Sequence, residues 1–377
     1  MDYYIIDSAE CKRLPGFLHI FLSVCKALCN NKARTSGVLM RVENSPTFID
    51  GAPFNAIGGY LKEKFGHKII KLSLDGGFTC PNRDGSLSFG GCLFCSEKGS
   101  GDFAGDAAAP IHDQLEDQAN RLRTKWPKGK YIAYFQKFTN TYGDVDRMRR
   151  LFYEALSYPD VIGIAIATRP DCLDEKVMGL LAELNQATFL WVELGLQTIH
   201  EKTAQLINRC YPLSTFDQAL ENLDYHNIKT VVHLILGLPG ETRQDMMDSA
   251  RYLAGLPIFG IKLQLLHIIK GTRLGDLYTA ELASPKQNDE AALYEDLTMA
   301  GYIQLVTDML EILSPAITIH RLTGDAPRTL LLAPRWSVNK TAILNGIRQE
   351  FKRRDSYQGR LFNGAPAYLV SSSRPSL

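Results

Sequence analysis

Residues 72–105 read LSLDGGFTCPNRDGSLSFGGCLFCSEKGSGDFAG, and the rest of the chain is understood from this stretch. It carries three cysteines, Cys80, Cys92 and Cys95, in the spacing C-x11-C-x2-C, among many glycines and few bulky residues. Glycine tolerates positive φ, so such a loop can wrap closely round a ligand. An apolar run at 68–74 leads into it and reads as a strand. Closed structural zinc and cluster sites take four protein ligands. Three thiolates with no fourth nearby therefore point to an iron–sulfur cluster with one iron left open to a small molecule. Phe94 places an aromatic ring beside that open corner. The other reading of the spacing is a zinc knuckle whose fourth ligand is distant, with His67 or His112 as candidates.

The chain has 377 residues, of which 45% are hydrophobic and 22% charged. That is ordinary globular composition, enough for one large domain or two smaller ones. A formal net charge of +1 announces neither nucleic acid nor membrane through a global field. Eight cysteines in such a length do not make a disulfide scaffold. Their clustering favours ligand chemistry in a reducing compartment, which places the protein in the cytoplasm. Residues 12–29, KRLPGFLHIFLSVCKALC, loosely imitate a signal peptide. Pro15, His19 and Lys26 interrupt the run, and it is too short to span a bilayer. Residues 1–39 are expected to be an extension outside the fold, with a core over 45–280 and a helical, basic extension over 281–377.

Downstream of the cysteines, strand-like and helix-like segments alternate. KYIAYF, VIGIAIA, FLWVELGLQ, KTVVHLILGLPGE and GIKLQLLHIIKGT read as strands, separated by amphipathic helices such as DVDRMRRLFYEALSY, which Asp144 can cap. About six β-α units with short connections predict an α/β fold, a parallel sheet curled into a partial (β/α)6 barrel. Ligand sites of parallel barrels lie at the C-terminal strand ends. The unusual polar residues fall there: the cysteine loop, then Thr139 and Asn140, then Arg169 and Asp171, then Gln197, then 237–241, then 270–272. The C-terminal third adds a short strand and a basic helix containing Arg348, Lys352, Arg353 and Arg354. That run reads either as a solvated helix face or as a contact for phosphates.

These residues together resemble the radical S-adenosylmethionine (SAM) superfamily. The closer likeness, over about 45–360, is to a bacterial branch marked by LDGGFTCPNRDG and GGCLFCSEKGSGDFAG. More distantly, ATRPD at 167–171, VELGLQT at 192–198, INR at 207–209, VVHLILGLPG at 231–240 and IIKGTRL at 268–274 resemble the radical SAM core of the elongator catalytic subunit, a tRNA wobble-uridine modifying enzyme. The cysteine spacing here is longer, no acetyltransferase domain follows, and Cys210-Tyr211 stands where that family has Gly-His.

The resemblance implies that Cys80, Cys92 and Cys95 hold a [4Fe–4S] cluster whose fourth iron chelates SAM. An electron from a flavodoxin- or ferredoxin-type donor would then release methionine and a 5′-deoxyadenosyl radical. By position, Phe94 would lie near adenine, and Gln136, Thr139 and Asn140 would meet the methionine amino group. Arg169 would meet a carboxylate of SAM or substrate, unless it pairs with Asp171. Gly237 and Gly240 either admit adenine to strand five or simply turn the chain. Glu193 and Gln197 share one face of strand four. A charged Glu193 inside a barrel needs a partner, which suggests a contact to SAM or substrate. His233 reads as a satisfied interior histidine. Three functions are in view: radical modification of a wobble-uridine side chain in tRNA, such as trimming a carboxymethylaminomethyl group to aminomethyl; radical chemistry on a small molecule or protein; or a zinc-binding module without catalysis.

Overall fold

Side chains on the strands alternate between two different cores, and this alternation builds the architecture. The computed structural model describes residues 48–96, 99, 104–283, 294 and 297–364. The extension expected at 1–39 lies outside the described residues. Helix α1 (Ile57–Phe65) precedes β1 (Ile69–Leu74), and the chain then runs α2 (Ile111–Arg123), β2 (Lys130–Phe135), α3 (Val145–Ser157), β3 (Val161–Thr168), α4 (Glu175–Ala187) and β4 (Phe189–Gln197). There follow α5 (Glu201–Leu206), α6 (Leu213–Tyr225), β5 (Lys229–Leu236), α7 (Arg243–Ala254), β6 (Gly260–Leu265), β7 (Ile268–Ile269), α8 (Arg273–Ala283), α9 (Met299–Ile312), β8 (Thr318–Arg321), β9 (Leu331–Ala333) and α10 (Lys340–Arg354).

The main sheet has seven parallel strands in the order β1-β2-β3-β4-β5-β6-β8. It is the expected partial barrel, with one strand more than the six β-α units. The extra strand is β8, the short C-terminal strand, which extends the sheet beyond β6. The sixth apolar segment is also two strands. After Leu265 the chain leaves the sheet, and Ile268–Ile269 pair antiparallel with Leu331–Ala333.

Outward positions such as Leu72, Ala133, Ile164, Val192, Leu234 and Leu263 pack against the helices in the large core. Inward positions Ile132, Tyr134, Ala165, Ala167, Trp191 and Val231 form a separate inner cluster. Helix starts are fixed by the capping side chains that the sequence offers. Asp144 accepts the Arg147 N–H at 2.7 Å, Asp174 accepts that of Val177 at 2.9 Å, and Thr242 and Asp245 form a reciprocal capping box.

Aromatic rings close the lumen at the N-terminal strand ends. Phe189, the first residue of β4, meets Phe65, Trp191 and Phe259 edge-on with centroids 5.3, 5.7 and 6.3 Å away. The lumen therefore opens toward the C-terminal ends, where the cysteine loop lies. The seam between β1 and β8 is bridged by the segment before α1. Asn55 accepts the Ile319 N–H at 2.7 Å, and Ala56 bridges to Ile319. Gln358, fully buried, locks this join from the C-terminal side. Its amide accepts the Asn55 N–H at 2.9 Å and donates to Ser314 and Ile317 carbonyls at 2.7 and 2.9 Å.

Gln358→Ala leaves three backbone groups, one buried and two half-buried, without this partner and is expected to destabilise the fold by about 2–3 kcal/mol. A fall in the urea midpoint with unchanged slope checks this, and an unchanged midpoint would show that the seam does not depend on Gln358.

Candidate active site

Asp75 roots the cysteine loop at the end of β1. Its carboxylate accepts the Gly77 N–H at 2.9 Å and pairs with Lys137 at 2.8 Å, while its own N–H donates to Gln114 at 2.9 Å. The Arg147 guanidinium donates to the Gly76 carbonyl at 2.8 Å. Each end of the thiol set then opens a tight turn. The Cys80 carbonyl accepts the Arg83 N–H at 2.8 Å, and the Cys92 carbonyl accepts the Cys95 N–H at 3.0 Å. Asn82, enclosed, donates to the Cys92 sulfur at 3.6 Å, and Arg83 Nη1 donates to the Cys95 sulfur at 3.6 Å and to the Ser96 carbonyl at 2.9 Å.

Burial pushes the Cys92 thiol from its ordinary 9.0 up to about 12, and the neighbouring Cys95 and Cys80 push in the same direction. The three sulfurs thus share one electrostatic environment in which thiolates repel one another. A cationic core beside Cys92 would offset that burial. Among the described residues, no three His, Cys, Asp or Glu side chains are grouped to hold a single metal ion. Two histidines were the candidates for a fourth zinc ligand. His67 precedes β1, at the far end of that strand from the thiols. The ring of His112 packs on Tyr158, 5.1 Å between centroids.

Residues 207–211 clasp the loop from above β4. The Ile207 carbonyl accepts the Leu93 N–H at 2.9 Å, and the Asn208 amide donates to the Gly91 carbonyl and Ser88 hydroxyl, both at 3.0 Å. Asn82 closes the clasp by donating to the Asn208 carbonyl. Arg209 is 1% exposed and donates to the Leu196, Thr198 and Tyr211 carbonyls at 3.0, 2.6 and 3.0 Å, tying the clasp to the end of β4. Tyr211 lies between the Arg169 and Arg209 guanidiniums, 4.9 and 4.7 Å from its ring centre, and donates to the Gly195 carbonyl. Cys210 has φ 63°, in the left-handed region. That explains the glycine of the resembling family at this point, since glycine takes this conformation without steric cost.

Inside the lumen, Glu193 is completely enclosed. One carboxylate oxygen accepts from Tyr134 at 2.6 Å, from His233 at 2.8 Å and from the Lys262 ammonium; the other accepts the Trp191 indole N–H at 3.1 Å. Lys262 also donates to the Tyr134 hydroxyl at 2.9 Å. Burial alone would raise the Glu193 pKa, but Lys262, His233 and Lys71 together hold it well below the usual carboxylate range. Burial lowers Lys262 to about 7 despite Glu193, and lowers His233 to about 4. His233 is therefore neutral, with Nε2–H on the carboxylate and Nδ1 accepting from Gln264 at 3.4 Å. It is the satisfied interior histidine that its strand position suggested.

Two family models match this sequence: the radical SAM superfamily over residues 80–253, and the radical SAM C-terminal domain over 258–353. The chain belongs to the radical SAM superfamily. YtqA of Bacillus subtilis (strain 168) is 48% identical over 309 residues, covering 82% of this chain and 92% of that protein. A tRNA uridine(34) acetyltransferase of Dehalococcoides mccartyi (strain CBDB1) is 25% identical over 196 residues, 51% of this chain and 39% of that protein. Among solved structures, archaeal Elp3 of Methanocaldococcus infernus with an N-terminal deletion shares the fold, with a TM-score of 0.57 at 14% identity over 77% of this chain and 64% of that one.

Radical SAM proteins use a [4Fe–4S] cluster and SAM, and these are the cofactors of this one. The residues present fit them. Three coupled thiols with side-chain donors on two of the sulfurs suit an iron–sulfur core. Among the described residues, the buried Gln197 Oε1 has no partner.

The other expected ligand contacts divide. Phe94, next to Cys95, packs half-buried on the cluster formed by Leu93, Ile207 and Ile235. Gln136 is half-buried on the inward side of β2, two residues beyond Tyr134. Thr139 and Asn140 are buried, and their bonds hold strand tips together: the Thr139 N–H donates to Thr79 at 3.2 Å, and the Asn140 amide to Phe135 and Ala167 carbonyls at 3.1 and 2.8 Å. Arg169 forms the internal pair, bidentate to Asp171 at 2.9 and 2.6 Å. A ligand contact for Glu193 gives way to the four internal donors, because no face of that carboxylate is open. Gly237 and Gly240 have φ 85° and 78° and turn the chain after β5. Sequence reasoning missed Asn82, Arg83, Asn208, Arg209, Lys71 and Lys262. The two lysines had a signal, since each interrupts an apolar strand at an inward position.

In the radical SAM protein stripped of metal, Cys92 at pH 8 should carry about a thousandfold less thiolate than an ordinary cysteine and resist iodoacetamide accordingly. Peptide mass spectrometry checks this; alkylation at the rate of a free thiol would contradict the placement of Cys92. Glu193→Gln removes the group that keeps Lys262 protonated and breaks the buried pair, and should cost about 3 kcal/mol. The pair Glu193→Gln with Lys262→Met should recover most of that loss in urea unfolding, whereas additive losses would show that the two side chains do not answer each other.

Proposed function

We propose that Cys80, Cys92 and Cys95 hold the [4Fe–4S] cluster, and that the protein removes a hydrogen atom from the modified side chain of a wobble uridine in tRNA. The observation that carries the first part is the set of three coupled thiols on the loop after β1, over the open end of a lumen closed below by aromatic rings. When both are bound, cluster and SAM supply one-electron cleavage of a sulfonium C–S bond, giving methionine and a 5′-deoxyadenosyl radical. This chain's residues perform the rest. Asn82 and Arg83 donate to the thiolate sulfurs, Gln197 offers an acceptor at the mouth, and Phe94 shields the side next to Cys95. The clasp at 207–211 keeps the loop fixed against β4.

Support for tRNA comes from the likeness to the Dehalococcoides enzyme, whose name assigns it to uridine 34 of tRNA. A groove of about 930 Å³ lined by Lys62, His67, Lys68, Trp126, Arg348 and Lys352 lies at the N-terminal strand ends, away from the thiols, and suits a part of the RNA distant from the reacting base. Much of the basic C-terminal helix is neutralised within the fold: Arg353 and Arg354 pair with Glu350, and Arg354 also with Asp308 and Glu311. Arg348 and Lys352 are exposed and turn to that groove, where basic and aromatic side chains suit an RNA backbone. No helix among the described residues is long and apolar enough to cross a membrane. The reading places the enzyme in the cytoplasm with a flavodoxin- or ferredoxin-type electron donor.

Anaerobically reconstituted protein given dithionite and SAM should release 5′-deoxyadenosine, faster with bulk tRNA, and Cys92→Ala should abolish release. Nucleoside mass spectrometry of tRNA from a deletion strain should show a changed wobble uridine. No 5′-deoxyadenosine from an iron-loaded protein would overturn the chemistry. An unchanged uridine profile, or full turnover without RNA, would overturn the substrate.

A further inference from the structure

The stretch between Cys80 and Cys92 carries side chains that the thiol site does not use. Asp84 and Phe89 bridge as antiparallel backbone, and the Gly85 N–H donates to the Ser88 carbonyl at 3.2 Å, so 84–89 is a small hairpin. It stands across the C-terminal strand ends. The Ser86 hydroxyl lies 2.7 Å from that of Tyr142, after β2, and Ser88 accepts from Asn208, after β4, at 3.0 Å. Further along, the Leu93 carbonyl accepts the Leu274 N–H of α8 at 2.9 Å. These ties hold the hairpin on the rim of the lumen mouth.

Scattered exposed hydrophobic side chains are ordinary, but here two share one anchored turn. Phe89 is 77% exposed and Leu87 53%. One edge of the Phe89 ring rests on Gly85, where a Cβ would come within 2.6 Å of it, and the rest of the ring faces solvent. A row of cations continues from the ring. The Arg273 side chain passes Gly90, its Cδ 4.0 Å from where a Cβ would stand. The Lys270 N–H donates to the Leu330 carbonyl at 2.8 Å, which joins it to the loop carrying Arg328. All three cations are exposed, and among the described residues none has a carboxylate within bonding distance. Arg328 also lines a cavity of about 430 Å³ with Leu331, Ser337 and Lys340. Residues 83–90, 270–276 and 321–340 together hold seven Lys or Arg against three carboxylates, Asp84, Asp276 and Asp325. Asp84 accepts the Ser86 N–H at 3.0 Å, and Lys340 and Arg321 share Asp325, so this side of the rim is positive.

We propose that this rim binds unpaired nucleotides of the RNA substrate, with Phe89 stacking on a base beside the reacting one and Arg273, Lys270 and Arg328 meeting the phosphates that follow. An aromatic ring with an open side next to a line of cations is how single strands are held. The assignment rests on the reading that the substrate is tRNA, and it adds where an unpaired loop lies and which residues hold it. The groove at the opposite strand ends is left to a more distant part of the same molecule. An electron-donor protein docks through a broad face, whereas two apolar side chains on one turn suit a strand of nucleotides.

Fluorescence polarisation with the anaerobically reconstituted protein tests it, using a labelled RNA stem-loop and a blunt RNA duplex of the same length. Wild type should bind the stem-loop more tightly. Phe89→Ala and Phe89→Leu should each weaken the stem-loop about tenfold, Phe89→Trp should keep it within about threefold, and none should alter duplex binding. Arg273→Gln should weaken the stem-loop and reduce its salt slope by about 1. Equal affinity for the two RNAs, or stem-loop binding untouched in both Phe89→Ala and Phe89→Leu, would overturn the proposal. Intact stem-loop binding with slower cluster reduction by flavodoxin in those variants would give the face to the electron donor and overturn it too. If the stem-loop depends on Phe89 while the wobble uridine of a deletion strain is unchanged, the RNA rim stands and the wobble-uridine reading fails.

Discussion

A charge placed inside a barrel of parallel strands must be answered from within, and the Glu193–Lys262 pair is how this fold meets that condition. Water does not solvate that carboxylate, so its stability rests on four donors arriving from β2, β4, β5 and β6. Those donors are held in register by the strands that carry them. The pair therefore links the packing of neighbouring strands to the polarity of the lumen. Below it, aromatic rings exclude solvent; above it, the inward positions turn polar and partly open. The barrel has a dry floor and a wet mouth.

The mouth is built from loops whose hydrogen bonds are nearly all internal. Asp75, Gln114 and Lys137 fix the root of the cysteine loop, and Asn208 and Arg209 fix its far side. This explains how a glycine-rich segment can hold three sulfurs in place without a helix or strand of its own. It also explains why several polar residues at strand ends serve the frame. Asn140 staples β2 to β3, and Arg169 closes on Asp171. A polar residue at a strand end is exposed to two demands, satisfying cut-off backbone groups and meeting a ligand, and residue type does not separate them.

Much of the fold was legible in the sequence because its periodicities were strong. The β-α alternation gave the partial barrel, and Asp144 marked a helix start that the structure places where expected. The short C-terminal strand was legible, but not its membership of the sheet, since Thr318–Arg321 is four residues long and joins only by pairing with β6. The split of the sixth segment was also hidden, because the apolar character of Leu265 to Ile269 continues while the backbone changes partner. At the site, the cysteines were visible through their spacing. The fate of Glu193 was half visible: its need for a partner could be stated, but Lys262 and His233 lie 69 and 40 residues away along the chain, and only the barrel brings them together.

Mössbauer spectroscopy of the anaerobically reconstituted protein, recorded before and after SAM is added, tests the central claim most directly. Four irons per chain, with one site distinct from the other three and shifted by SAM, is the predicted result. Four equivalent thiolate-bound irons unmoved by SAM, or a colourless protein holding one zinc, would contradict it.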